Sequence, residues 1–214
     1  LWNVEADHYL SHLGVSRWKL MEKIIKLPSS RNASFEQVSL AYLGLVALDV
    51  EILKGAPAYS GTLAAVSKMW GYTALGWRTS LASVPEFLKR SGLSYDELLQ
   101  LLQVPFVQAD GQFGVDFSDA ESACDIDGAV LRYIDVNGNF DAVRLLSKET
   151  FDHMQRFLRL RGKTGWSIWE LGRVLAALPL PQLTVKTLVQ VSTLKQLVDS
   201  LALDALEALS WWAN

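Results

Sequence analysis

Cysteine is almost absent from this 214-residue chain: Cys124 stands alone. A single thiol excludes an internal disulfide framework and any multi-cysteine zinc site. Long apolar runs are missing as well. The longest, Leu40 to Leu48, stops at Asp49, well short of the ~20 residues that a membrane-spanning helix needs. Positive charge is not in excess. Lys and Arg number 20 against 23 Asp and Glu, and the pI is near 5.6, which argues against electrostatic binding of nucleic acid. Residue 1 is Leu, and no basic segment precedes an apolar one, so no signal peptide is read here. The Gly-x-Ser-x-Gly elbow, the Walker loop and the Gly-x-Gly-x-x-Gly fingerprint are all missing.

What is present is apolar and helical. Hydrophobic residues make up 50% of the chain, ample for a packed core and too much for disorder. Capping boxes recur at Ser34-Phe35-Glu36-Gln37, Ser94-Tyr95-Asp96-Glu97, Ser118-Asp119-Ala120-Glu121 and Ser167-Ile168-Trp169-Glu170, with an Asp version at Asp204-Ala205-Leu206-Glu207. In each, the first side chain accepts the N3 amide and the fourth reaches back to the cap. Helical stripes accompany them: Leu171, Val174, Leu175 and Leu178; Leu98, Leu101 and Leu102; Trp18, Met21 and Ile25; Leu20, Ile24 and Leu27. Breakers fall between, at Pro28, Gly55 with Pro57, Gly92, Pro105, Gly165, and Pro179 with Pro181.

From about residue 105 to 143 the helical period lapses. Tyr133 to Phe140 alternates around Asn137-Gly138, which predicts a loop-rich insertion carrying a short β-hairpin. A weak internal repeat also shows. Tyr9 to Leu20 and Phe87 to Leu98 share an aromatic-Leu, a Gly, an apolar residue and a Ser in register, and 161–171 and 198–209 are similar. The first two gaps between aligned caps are each near twice the third, about 37 residues, which suits a helix-turn-helix period. Any junction of helix, Gly, Ser cap and helix gives the same look. The expected fold is all-α: a single domain over 1–214, a bundle of roughly eight to ten helices with helix-turn-helix repeats and a small β-hairpin insertion.

Residues able to do chemistry are few, and each has a plain structural reading. Cys124 lies beside Asp125 and Asp127, whose charge disfavours a thiolate; an idle thiol is adopted. His8 and His12 stand one turn apart with Glu5 a turn before them, a spacing able to hold zinc. The glutamate of a His-Glu-x-x-His helix is lacking and His153 is the only other histidine, so a solvated polar face is adopted. Asp135, Asn137, Asn139 and Asp141 mimic the first ligands of a calcium loop, but Phe140 takes the glycine position and Leu146 stands in place of the bidentate Glu; a turn suffices. Trp166 and Trp169 could make a stacking platform, though core packing is the reading adopted. Arg17, Lys19, Lys23 and Lys26 form a basic stripe broken by Glu22, read as a solvated face. No catalytic, cofactor-binding or metal-binding residue is assigned. Packing is expected to rest on Trp18, Phe87, Leu98, Leu102, Phe157, Leu158, Trp166, Trp169 and Leu171.

An ordered set of blocks adds a resemblance. Leu13-Gly14-Val15-Ser16-Arg17-Trp18 is followed by Met69-Trp70-Gly71-Tyr72. Then come Ser83-Val84-Pro85-Glu86-Phe87-Leu88 with its continuation to Leu102, Pro105-Phe106-Val107, Arg156-Phe157-Leu158-Arg159-Leu160 and Gly165-Trp166-Ser167-Ile168-Trp169-Glu170-Leu171. In this order they resemble the A subunit of bacterial insecticidal toxin complexes (Tc toxins), the virulence-plasmid A protein family, over about residues 10–209. One departure is Gly172, where that family suggests Asp. The resemblance implies a piece of a much larger pore-forming, toxin-translocating subunit, secreted or held on the bacterial surface. It implies the α-helical shell around the channel, with no enzymatic role. It also implies partners: the rest of the same subunit, neighbouring protomers of a pentamer, and the B–C components that carry the toxic enzyme. No nucleic acid and no cofactor are expected. Two other readings stand beside it: a free-standing helical adaptor, motivated by the repeat, and a metal-dependent module using His8, His12 or the Asp135 loop. The terminal Trp211-Trp212 pair is expected to belong to a longer chain.

Overall fold

Local capping chemistry sets most of the helix starts. Ser34, Ser94 and Ser167 each accept the N3 amide while Gln37, Glu97 and Glu170 bond back to the cap. Thr184 forms a further box with Thr187, and Thr62 and Ser147 cap by a single side-chain bond. The computed structural model describes residues 2–25, 34–74, 76–118, 126–178 and 182–212. Asp119, Ala120 and Glu121 of the box expected at Ser118–Glu121 lie outside the described residues, as do Lys26, Leu27, Pro28, Pro179 and Pro181.

The first nine helices are α1 (Trp2–His12), α2 (Arg17–Ile25), α3 (Phe35–Tyr42), α4 (Ala47–Leu53), α5 (Pro57–Ser60), α6 (Leu63–Met69), α7 (Trp77–Ala82), α8 (Val84–Ser91) and α9 (Tyr95–Leu101). Two short strands follow, β1 (Phe113–Asp116) and β2 (Val130–Tyr133). Four helices complete the chain: α10 (Lys148–Thr164), α11 (Ile168–Ala177), α12 (Val185–Leu201) and α13 (Ala205–Trp212). Thirteen helices among the described residues exceed the eight to ten expected, because α4 to α7 are only one or two turns each. The fold is all-α with one small sheet.

The repeat signal has a concrete structural form. At five junctions a residue in the left-handed region ends one helix, an apolar residue follows, and the next helix is capped immediately. The left-handed residues are Gly14, Gly44, Gly92, Gly165 and Ala202, and the following pairs are Val15-Ser16, Leu45-Val46, Leu93-Ser94, Trp166-Ser167 and Leu203-Asp204. The amides of Val15, Leu45 and Leu203 bond to the carbonyls of Leu10, Leu40 and Val198, the six-to-one closure of a Schellman turn. The apolar residue before the cap is placed to staple the fourth helical residue. Leu93 with Leu98 and Trp166 with Leu171 are accordingly buried.

Ala202 is the one non-glycine residue with positive φ among the described residues, at 53°. An L-residue there pays roughly 1 kcal/mol in steric strain. Ala202→Gly is therefore expected to raise stability by about 0.5–1 kcal/mol, read as a higher urea midpoint at unchanged slope.

Helix α10 runs through the centre. Phe151, Met154, Phe157 and Leu160 are fully buried along its length, in a core that also takes Leu53, Val66, Leu81, Phe87, Leu98, Leu101, Leu171 and Leu188. Helix α12 packs on α3 and α13, and α2 packs on the outer side of α3. The ring of Trp18 meets Tyr42 edge-on at 5.0 Å. The Tyr42 hydroxyl donates to Asp199 on α12 at 2.5 Å. Burial and that carboxylate push the phenol upward.

The segment 105–143 holds no α-helix among its described residues. Strands β1 and β2 pair antiparallel, from Phe113↔Tyr133 to Asp116↔Val130. The Asn137-Gly138 turn forms too, with a single bridge between Ile134 and Phe140. The small sheet thus draws its ladder from a more distant partner than the turn offers. Arg132 reaches Asp116 across it at 3.0 Å, and the Tyr133 hydroxyl bonds Thr150 at 2.7 Å, tying the sheet to α10.

No helix among the described residues is long and apolar enough to cross a membrane.

Candidate functional site

The sequence-derived candidates scatter rather than converge. Cys124 and Asp125 lie outside the described residues, and Asp127 sits in a short 3-10 turn at Ile126–Gly128. His153 is on α10, with Nδ1 3.6 Å from Asp110 and its ring 5.1 Å from Phe106. Burial holds this imidazole below its ordinary value, with Arg156 adding to the effect and Asp110 opposing it. Asp135 spends one carboxylate oxygen on the amides of Asn137 and Asn139, at 2.8 and 2.9 Å. Asp141 does the same for Val143 and Arg144. These are turn bonds, and they hold both carboxyls below the usual range. One oxygen of each carboxylate is thus engaged by backbone donors within its own turn. Among the described residues no three His, Cys, Asp or Glu side chains gather as a metal site.

His8 and His12 do come together. They lie on the exposed side of α1 with Nε2 atoms 3.2 Å apart and rings nearly perpendicular.

Trp166 and Trp169 part company. Trp166 is buried, whereas Trp169 is 49% exposed. The expectation that Trp169 packs in the core is corrected by the helix phase. Ile168, Leu171, Val174 and Leu175 point inward, so Trp169, Arg173 and Ala176 share the outward stripe. Of the other expected packing residues, Phe87, Leu98, Phe157 and Leu171 are fully buried, and Trp18, Leu102 and Leu158 are half-buried. In the second stripe of α2, Leu20 and Ile24 are exposed, and Leu27 lies outside the described residues.

A cleft between α9 and α11 was not legible in the sequence. It encloses about 130 Å³ between Gln100, Gln103 and Val104 on one side and Trp169, Gly172 and Arg173 on the other. Gly172 explains the close approach, since a Cβ there would lie 3.1 Å from Val104. Any side chain at this position would press its Cβ onto that valine. Arg173 stands over the Trp169 ring at 5.7 Å. Beyond Arg173 the surface opens into a wider depression of about 610 Å³ bounded by Leu206, Leu209 and Ser210 of α13.

Charge is spent on holding helices together. Asp49 on α4 takes Arg159 at 3.1 Å and Lys163 at 2.9 Å, both from α10, and its carboxyl also accepts the Val46 amide. Burial alone would raise this carboxyl, but those bonds outweigh it and leave it lowered. A carboxyl lowered by folding adds stability at neutral pH that is lost as pH falls through its folded value. The stability gap between wild type and Asp49→Asn should therefore narrow from about pH 5 downward, as denaturant midpoints at neutral and acid pH would show. Arg161 of α10 likewise pairs with Glu97, which caps α9.

No family model, curated protein or solved structure matches the chain.

Proposed function

We propose that this chain is a structural segment of the α-helical shell of a Tc-like toxin A subunit, with its work done by packing surfaces and not by a catalytic centre. The observation that carries the reading is the apolar surface left along α1 and α2. Tyr9, Leu13, Val15, Leu20 and Ile24 are 76, 69, 38, 42 and 38% exposed. Val15 and Leu20 are the staple pair of the first junction, and their counterparts at Leu93 and Trp166 are buried. Apolar side chains gathered this way mark surfaces that meet other protein. In the shell reading they face other parts of the subunit or a neighbouring protomer. The ordered blocks from Leu13 to Leu171 supply the family, and the larger translocation machine would supply receptor binding, the channel and the B–C cargo.

A free-standing adaptor is the second reading, favoured by the clefts on either side of Arg173. Light scattering on the purified chain, together with the length of its parent reading frame, separates the two. A helical monomer encoded within a very long frame supports the shell segment. A stable homo-oligomer from a frame of about this length overturns it in favour of the adaptor.

A further inference from the structure

We propose that His8 and His12 form a two-ligand site for a divalent transition-metal ion of the zinc, nickel or copper class on the outward face of α1. This inference does not depend on the shell reading. The bite is already set. Two imidazole nitrogens each ~2.0–2.1 Å from a tetrahedral ion stand about 3.3 Å apart. The Nε2 atoms of His8 and His12 stand 3.2 Å apart, with ring planes at 88°. One turn of helix fixes the two Cα atoms, and an ion needs the two exposed rings to turn until both Nε2 lone pairs meet at it.

The chemistry balances without an outside reagent. In the free chain the contact between the two rings is a hydrogen bond, which needs one Nε2–H and one Nε2 lone pair. On binding, the donor ring carries its proton on Nδ1 instead, and both Nε2 lone pairs go to the ion. A neutral pair therefore releases no proton, and acid competes with the ion for the same lone pairs. Imidazole suits these borderline ions better than calcium or magnesium, which prefer oxygen. Among the described residues no third His, Cys, Asp or Glu joins the pair. The remaining coordination positions fall to water or to groups from another molecule, as in sites that keep open positions. Glu5, one turn before His8, adds negative charge to the same side of the helix.

Titration of the full chain with Zn²⁺ and with Ni²⁺ in a calorimeter tests this. Binding is expected in the wild type, lost in both His8→Ala and His12→Ala, and retained in His153→Asn and Cys124→Ser, which remove the other histidine and the one thiol. Both α1 rings are solvent-exposed, so their removal leaves the fold intact, and far-ultraviolet circular dichroism checks that. Absence of binding to the wild type, or binding that survives either α1 substitution, overturns the site.

Discussion

Phe157→Ala is expected to lower the unfolding free energy by about 3–5 kcal/mol, and Trp169→Ala to lower it by less, about 1–2 kcal/mol. Both are aromatic residues in helices with a strong inward face, and by size alone the tryptophan should matter more. Exposure reverses the order. Phe157 is fully buried at the middle of α10, where neighbouring turns contribute Met154 and Leu160 to the same core. Its removal leaves a cavity that helices anchored on both sides cannot close, and the loss of transfer energy is joined by a cavity penalty. Trp169 is half in water already and touches Arg173 on the outward stripe of α11. Its truncation gives up the buried half of the side chain and a surface cation–π contact, together about 1–2 kcal/mol. Urea midpoints of the two variants decide. A large loss for Trp169→Ala would mean that its ring is covered in solution, and a small loss for Phe157→Ala would mean that the core around α10 repacks.

The contrast shows what the sequence could and could not reveal. Ser34, Ser94 and Ser167 were readable as caps because both partners of each bond lie within three residues. Four of the five junctions with a left-handed residue were readable as a faint repeat for the same reason, and the one at Gly44 was not. Phase was harder. In α11 the spacing 168, 171, 175 and the spacing 169, 173, 176 are both helical, and only the position of α9 and α13 decides which one is covered. The sheet was half legible. Asn137-Gly138 announces a turn whose pairing is local, but Phe113–Asp116 pairs with β2 from farther along the chain, and no residue pattern at either strand names the other. His8 and His12 were visible as a pair from spacing alone, whereas the cleft between α9 and α11 exists through Gly172 meeting Val104, a contact of residues far apart in the chain.

The buried charge on α10 is the second place where a large effect is expected, and the sequence hides it well. Asp152 and Arg156 are one turn apart, the spacing of an ordinary solvated helix pair worth only a few tenths of a kcal/mol. Here both residues are buried, at 8 and 7% exposure. The Arg156 guanidinium donates from Nε to the Leu53 carbonyl at 2.7 Å and from Nη1 to Asp152 at 3.3 Å. Asp152 in turn accepts the Ser60 hydroxyl at 2.6 Å. The pair thereby joins α10 to the end of α4 and to α5. Burial pulls the guanidinium below its ordinary value while Asp152 opposes that pull. Arg156→Met should cost about 3–5 kcal/mol, because it strands a buried carboxylate and a buried carbonyl. Arg156→Lys should recover little, since an ammonium cannot reproduce the planar fork that serves Leu53 and Asp152 together. Replacing both members, as in Asp152→Leu with Arg156→Met, should cost less than the sum of the single changes, because no lone charge is left buried. Gly55 sets the local limit: its φ is +71°, and a Cβ there would lie 2.9 Å from Arg156 Nη1. Gly55→Ala should therefore add backbone strain of about 1–2 kcal/mol and push the guanidinium off its partners, giving a loss that is strongly non-additive with Arg156→Met. Additive losses in that double-mutant cycle would show that the Gly55 turn and the ion pair act independently.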